Sequence, residues 1–291
     1  MSDSHDSPLP PEAAGHYSSG YEADRLSAGS ARLEFTRTQD ILGRYLPRPP
    51  AAILDIGGGP GAYSHWLADQ GYEVHLVDAI PLHVEQAKNR EGSRIASATV
   101  GDARHLQRED ESVDAALLMG PLYHLTERSD RIRSLKEAAR VLKRGAMLCA
   151  VGISRFASSM DGLRKGFLDD PSFQRIVEQD LRDGQHRNPG DHPFYFTTAF
   201  FHHPDELKTE VQESGLRYEV TLGIEGPGWL LQNFDHHWQD VARRGRLLDL
   251  LRRLETEPSL VGVSAHIMAI ARNPAGRVAT REFPISKGRR G

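Results

Sequence analysis

The chain of 291 residues carries one cysteine, Cys149, which excludes an intrachain disulfide and a cysteine-based zinc cluster. Within "MLCAVG" that thiol reads as a small core hydrophobe. No apolar run approaches the ~20 residues that span a bilayer, so no membrane partner is expected. The opening "MSDSHDSPLPPEAAG" has neither a basic n-region nor an apolar core. It therefore does not read as a signal peptide, and a cytoplasmic location is expected. Positive charge is also scarce. The formal net charge is −4, and the tail after Arg272 holds five Lys/Arg against Glu282, leaving residues 1–272 at −8. An acidic body repels phosphate backbones, so no nucleic-acid partner is expected, and the terminal "KGRRG" reads as a solvated end.

What is present is an alternation. Residues 1–15 are rich in Pro, Ser, Ala and acids and read as a disordered tail. A helical pattern runs from Tyr17 to Leu46 and ends at Pro47, Pro49 and Pro50. Strands then follow in "AAILDIG", "YEVHLVDA", "IASATVGDA", "VDAALLMG" and "AMLCAVGIS". Helices lie between them, including "YSHWLADQG" up to Gly71, "PLHVEQAKNRE", and "RSDRIRSLKEAARVLKRG" with Gly145 as its stop. This order implies right-handed βαβ units and a parallel sheet covered on both faces. From Arg155 to His203 the pattern is helical and irregular, with no strand returning to the sheet. A helix opens at Pro204, and two further strands, "LRYEVTLGIEG" and "GVSAHIMAIAR", flank a largely helical stretch from Trp229 to Glu257.

The glycine loop in "ILDIGGGPGAYS" calls for a ligand that approaches bare backbone. A phosphate-binding P-loop ends in Gly-Lys-Ser/Thr, whereas Gly61 is followed by Ala62 and Tyr63, which excludes that class. Gly57, Gly59 and Ala62 match the dinucleotide pattern, with Asp78 placed for a ribose diol. Asp55, however, lies where a pyrophosphate would be repelled and where the sulfonium and ammonium of S-adenosylmethionine would be attracted.

The ordered set "ILDIGGGPGAYS", "VHLVDA", "VGDARHL", "DAALLMGPLYHL" and "RVLKRGAMLCAVG" resembles class I S-adenosylmethionine-dependent methyltransferases over roughly Ile53–Ile153. The resemblance implies an α/β fold: a Rossmann-like, doubly wound, seven-stranded sheet whose last strand, "SAHIMAIAR", is antiparallel, with helical cap insertions at about 155–203 and 224–258. It implies one domain over 16–272, followed by a tail at 273–291. It implies S-adenosylmethionine as cofactor, with Gly57, Gly59, Gly61 and Asp55 beside the methionine part. Asp78, with Ala79 beside it, would accept the ribose hydroxyls. Asp102 and Ala103 would hold adenine, and Met119 opens the segment facing the transferred methyl. Tyr21, in "HYSSGYEADRL", belongs to N-terminal helices that close over the site in such enzymes. Arg25, Arg32 and Arg37 are candidates for the methionine carboxylate. "LKRGAML" departs from the family's frequent Pro-Gly-Gly turn. Residues 119–125 depart from the Asn/Asp-Pro-Pro-Tyr/Phe signature of many amino-group methylases, which argues against amide and nucleobase targets.

Methyl transfer needs alignment, exclusion of water and, for an O–H or N–H⁺ acceptor, loss of a proton. No metal is expected, since the adjacent pairs His202/His203 and His236/His237 are poorly placed to share an ion. His124 and His203 are the candidate bases. Tyr123, His124, His203, Trp229 and Phe234 are the candidate substrate-lining residues. Two capping insertions favour a small-molecule acceptor methylated at O or N, less readily at C, by a monomer or homodimer. The alternatives are an RNA or protein acceptor, an S-adenosylmethionine-binding regulator, isomerase or cyclase, and an NAD-dependent oxidoreductase.

Overall fold

The computed structural model describes residues 25–26, 28–190 and 192–274, so residues 1–15, Tyr17, Tyr21 and the tail beyond 274 lie outside the described residues. Helix α1 (Ala31–Tyr45) precedes the alternating unit of β1 (Ala52–Ile56), α2 (Ala62–Asp69), β2 (Glu73–Asp78), α3 (Pro81–Asn89), β3 (Ser97–Val100) and β4 (Val113–Leu118). The single turn α4 (Pro121–His124), α5 (Arg128–Val141) and β5 (Leu142–Ser154) complete it. Five parallel strands lie in the order β3-β2-β1-β4-β5. Strand β9 (His266–Arg272) runs antiparallel along Met147–Ile153 of β5, and β8 (Arg217–Gly223) runs antiparallel to β9. These seven strands are the expected sheet, with the last strand reversed.

Two sequence expectations are corrected. A strand does return between Ser154 and Pro204: β7 (Ala199–His202) pairs in parallel with the tip of β5 at Ile153↔Phe201 and Ser154↔His202, and β6 (Gln185–His186) pairs with β7. β5 outruns β4, whose pairing stops at Ala150, and the backbone groups exposed beyond that point need partners. The second concerns Gly145, which does not end a helix. Helix α5 stops at Val141, and Gly145 turns inside β5 at φ +78°, its N–H donating to Asn273 O at 2.9 Å.

Alternation along the central strands builds two cores, one on each face. Leu54, Ile56, Leu118 and Leu148 face α5 and α8 (Pro204–Glu213), against Leu135, Leu207 and Val211. Ile53, Leu117, Cys149 and Ile270 face Ile41, Leu42 and Leu67 of α1 and α2. Cys149 is fully buried; burial pushes its thiol up to about 12 despite the opposing field of Arg272, so it acts as an inert hydrophobe. Beyond β5 the chain forms α6 (Ala157–Lys165) and α7 (Pro171–Asp183), and after β8 it forms α9 (Phe234–Gln239), α10 (Val241–Leu254) and α11 (Pro258–Val261). Among the described residues no helix is long and apolar enough to cross a membrane.

A buried ion pair fastens the turn after β4 to this frame. Arg131 donates to Glu210 at 2.8 Å and to the carbonyls of Leu125 and Thr126 at 3.0 and 2.9 Å, with its guanidinium 3.5 Å from the centre of the Phe200 ring. Burial disfavours the Glu210 charge, but the hydrogen bonds from His202 and Arg131 outweigh it and lower the carboxyl to about 2. Glu210→Gln leaves the guanidinium buried without its counter-charge and is expected to cost ~3–5 kcal/mol at neutral pH. A depressed carboxyl contributes stability above its ordinary 4.5 and loses it as pH falls toward about 2. Urea unfolding should therefore show the gap between wild type and variant closing across that window.

Candidate active site

The glycine loop leaves β1 in backbone conformations that side chains resist. Gly57 has φ +71° and donates its N–H to Val77 O at 2.7 Å; a Cβ there would lie 2.5 Å from Pro121 Cδ. Gly59, at φ +56°, donates to Asp78 Oδ2 at 2.8 Å. Gly61 serves the entry to α2 instead of the cleft. Gly58, not singled out from the sequence, lines the cleft in its place, and a Cβ on it would approach Asp55 Oδ2 to 2.7 Å.

The loop borders two clefts, a third lies beside them, and Tyr123 lines all three. The first is bounded by Gly57, Gly59, Asp78, Ala79, Asp102 and Ala103, the residues expected at a nucleoside. Asp78 also accepts from the Ile80 N–H at 2.8 Å, a bond that sets the turn into α3. His83 Nδ1 lies 3.1 Å from the same oxygen, so three of a carboxylate's roughly four lone-pair sites are engaged and about one is left for a hydroxyl donor. Asp102 is held by the backbone N–H and guanidinium of Arg104, at 2.8 and 2.7 Å, and Arg104 in turn pairs with Asp130 at 2.8 Å.

The second cleft holds Asp55, Gly58, Met119 and Arg25. Asp55 is 1% exposed; its Oδ2 accepts from Ser64 Oγ at 2.7 Å, while its buried Oδ1 has no partner among the described residues. Burial raises this carboxyl to about 6, with the Ser64 bond opposing and the neighbouring Asp78 charge adding to the rise. An orphaned buried carboxylate oxygen beside bare backbone fits a cationic ligand such as S-adenosylmethionine, which would satisfy Oδ1.

A group that sequence reasoning missed lies at the far wall. Glu34, Glu225 and His266 bring donor atoms within 4.8 Å of one another, and Arg25 clasps Glu34 at 2.6 and 2.9 Å. The Arg25 guanidinium and a protonated His266 supply the two positive charges that balance the two carboxylates. These residues are far apart in sequence and no local motif joins them. The one clue was His266 at the head of the last strand, which pairs with the end of β5.

The third cleft is an aromatic chamber of about 1350 Å³, its mouth included, walled by Phe173, Phe196, Phe201 and Trp229. Trp229 is where the sequence put it, anchored by Nε1–H donation to Val263 O at 2.9 Å. Phe234 is not: it packs into a separate core with Leu33, Trp238 and Leu251. His203 is not at the site either. Its Nδ1 accepts from the Asp205 N–H at 3.3 Å, Glu206 accepts from the His203 N–H at 3.0 Å, and the ring lines a different groove beside Lys208. This capping box satisfies the open N–H groups of α8 and explains its position. His124 is 6% exposed and lines the first cleft, edge-on to Tyr123 at 4.6 Å; it is not among the residues of the chamber wall. Of the candidate arginines, Arg25 lines the second cleft, whereas Arg37 is buried against Glu255 and Arg32 packs over Phe234.

Asp55 sets function against stability. A folded-state carboxyl at about 6, above its ordinary 3.8, means that ionisation at neutral pH costs the ligand-free fold stability. Asp55→Asn should therefore raise the melting temperature without ligand while weakening S-adenosylmethionine binding by ~1.5–3 kcal/mol. In wild type, calorimetry should show binding tighten as pH rises through about 6, and the variant should lose that dependence.

Residues 54–150, which span most of β1 to β5, the whole lining of the first cleft and the glycine-loop side of the second, match the family of the methyltransferase domain. The demethylmenaquinone methyltransferase of Beutenbergia cavernae is 33% identical over 173 residues, covering 55% of this chain and 69% of that protein. A probable tRNA methyltransferase 9B of Homo sapiens is 38% identical over 101 residues, covering 35% of this chain and 21% of that protein. The fold is similar to that of an S-adenosylmethionine-dependent methyltransferase from Methanosarcina mazei, with a TM-score of 0.54 at 22% identity over 81% of this chain and 97% of that one. With that family match and a relative 33% identical covered over 69% of its length, the chain belongs to the class I S-adenosylmethionine-dependent methyltransferases.

Proposed function

We propose that this methyltransferase acts on oxygen or nitrogen of a small organic acceptor held in the aromatic chamber. The observation that carries the reading is the meeting of three clefts at Tyr123, two on the cofactor side and one walled by aromatic side chains. Bound S-adenosylmethionine supplies a methyl group already activated on positively charged sulfur. The protein's share is to hold that ligand with Asp55, Asp78, Asp102 and the glycine loop, to keep water out and to align the acceptor. Chamber walls of this kind take planar organic molecules better than a polymer. The relatives named for tRNA methylation match only 35% of this chain and 21% of their own length, and so lend little weight to an RNA acceptor. The segments 155–203 and 224–258 are proposed as the cap over the acceptor, with Phe194, 70% exposed, at its mouth.

Incubation of the full chain with S-adenosylmethionine and a small-molecule extract, followed by mass spectrometry, should yield S-adenosylhomocysteine and a product heavier by one methylene. Turnover with RNA alone would move the acceptor to a polymer. Ligand consumption without methylation would favour the regulator or cyclase alternative. Trp229→Ala should raise the acceptor KM by ~10-fold, the order of one lost aromatic contact, while S-adenosylhomocysteine affinity stays at the wild-type value.

A further inference from the structure

We propose that His266, fixed by Glu225, is the group that receives the acceptor, and that the acceptor is a planar acidic hydroxyl compound, a phenol or enol, bound as its oxyanion at Nε2–H. The proposal rests on the small-molecule reading above and adds the anchor and the ionisation state.

Position comes first. His266 lines both the Asp55 cleft and the aromatic chamber, so its ring stands where donor and acceptor would meet. Its Nδ1 is 2.6 Å from Glu225 Oε1. Glu225 is 2% exposed, and its other oxygen accepts from Ser264 Oγ at 2.7 Å and from the His266 N–H at 3.0 Å. The carboxylate cannot turn away, so the ring is oriented with Nδ1–H committed to Glu225 and Nε2 left as the atom offered to the clefts. Among the described residues Nε2 has no protein partner.

Charge comes second. Burial opposes a charge on this ring, but Glu34 and Glu225 outweigh it, and with the hydrogen bond to Glu225 they lift His266 to about 9, against the opposing field of Arg25. The ring is therefore an imidazolium at neutral pH, with both nitrogens as donors. An imidazolium cannot take a proton from the acceptor; it can hold an acceptor that has already lost one. The chamber agrees. Besides Arg25 and His266 it presents Arg164 and Lys165, which share the single acid Asp161 at 2.9 and 2.7 Å. With Glu34 on Arg25, Glu225 on His266 and Asp161 shared by Arg164 and Lys165, an ammonium acceptor would face four cationic side chains against three acids, a net positive charge. His186, the other histidine of the wall, is engaged by Asp180 at 2.9 Å and does not compete for the anion. The aromatic walls supply the flat surfaces that a conjugated ring fills.

The test uses 4-nitrophenol, whose colour reports its ionisation, titrated into the full chain saturated with S-adenosylhomocysteine and buffered below the dye's own pKa. Bound dye should absorb as the phenolate and bind on the order of tenfold or more tighter than its methyl ether, 4-nitroanisole, which cannot ionise. At higher pH, where free dye is itself phenolate, affinity for the phenolate should fall as pH rises through about 9, where the imidazolium is lost. His266→Gln should abolish the signal and the preference in a chain whose cooperative thermal unfolding shows that it is folded. If that variant does not fold, Glu225→Gln tests the same dyad, because removing one carboxylate should move the loss of phenolate affinity to lower pH. Dye bound in its neutral form, equal affinity for the methyl ether, no dye binding, or an unchanged signal in both variants would each overturn the proposal. A wild-type chain that fails to bind S-adenosylhomocysteine would instead overturn the reading on which it rests.

Discussion

Two loops leaving neighbouring parallel strands approach each other more closely than side chains allow, and the rest of the site is arranged around that approach. β1 and β4 are paired through Ile56↔Leu118, and the chains that leave them, Gly57 and Gly120–Pro121, pack backbone against ring. A Cβ at 57 would enter the proline, and a Cβ at 120 would come within 2.8 Å of Gly57 O. With both absent, the sheet opens a crevice at the carboxyl ends of its central strands, where chains on either side lead away in opposite directions. Tyr123, one turn further on, projects into that crevice and borders all three clefts.

Holding α4 there is a matter of burial and charge at the opposite face. Arg131 ties the carbonyls that end this turn to Glu210 of α8, so the segment bearing Tyr123 and His124 is referenced to the sheet through a closed ion pair. On the ligand side the electrostatics run the other way. Asp55 is buried with one oxygen unsatisfied, a cost that a compact fold tolerates where a ligand completes the pairing. His266 is the counterpart across the cleft, kept cationic by two carboxylates that Arg25 and the ring itself neutralise. A buried acid with an open oxygen and an imidazole ring held by two carboxylates thus line one cleft.

Much of this was legible in the chain. Period and punctuation located five parallel strands and their helices, because buried strands flanked by helices leave continuous apolar runs with glycine and proline stops. The cofactor-side acids were legible too, since each ends a strand and the topology brings those ends together. Asp55, Asp78 and Asp102 all reach cleft walls. Local reading failed where one residue serves its own backbone. Gly61 and His203 look like site residues in one dimension, yet one turns the chain into α2 and the other caps α8. Phe234 failed for a related reason, because an aromatic on an inserted helix is equally suited to a core.

The sequence by itself determined the succession of strands and helices and the glycine loop, because periodicity and glycine conformational freedom are local properties, while the reversed last strand was implied by the family resemblance. Tertiary structure alone decided which charged side chains meet between the second and third clefts. Arg25, Glu34, Glu225 and His266 come from the chain before α1, α1 itself, the segment after β8 and the first residue of β9. The return of β7 to the sheet was likewise decided in three dimensions, by the length by which β5 outruns β4. Residues that meet only when β9 inserts beside β5 share no spacing for a linear pattern to carry, and their charges are set by one another's distance and burial rather than by their neighbours in the chain.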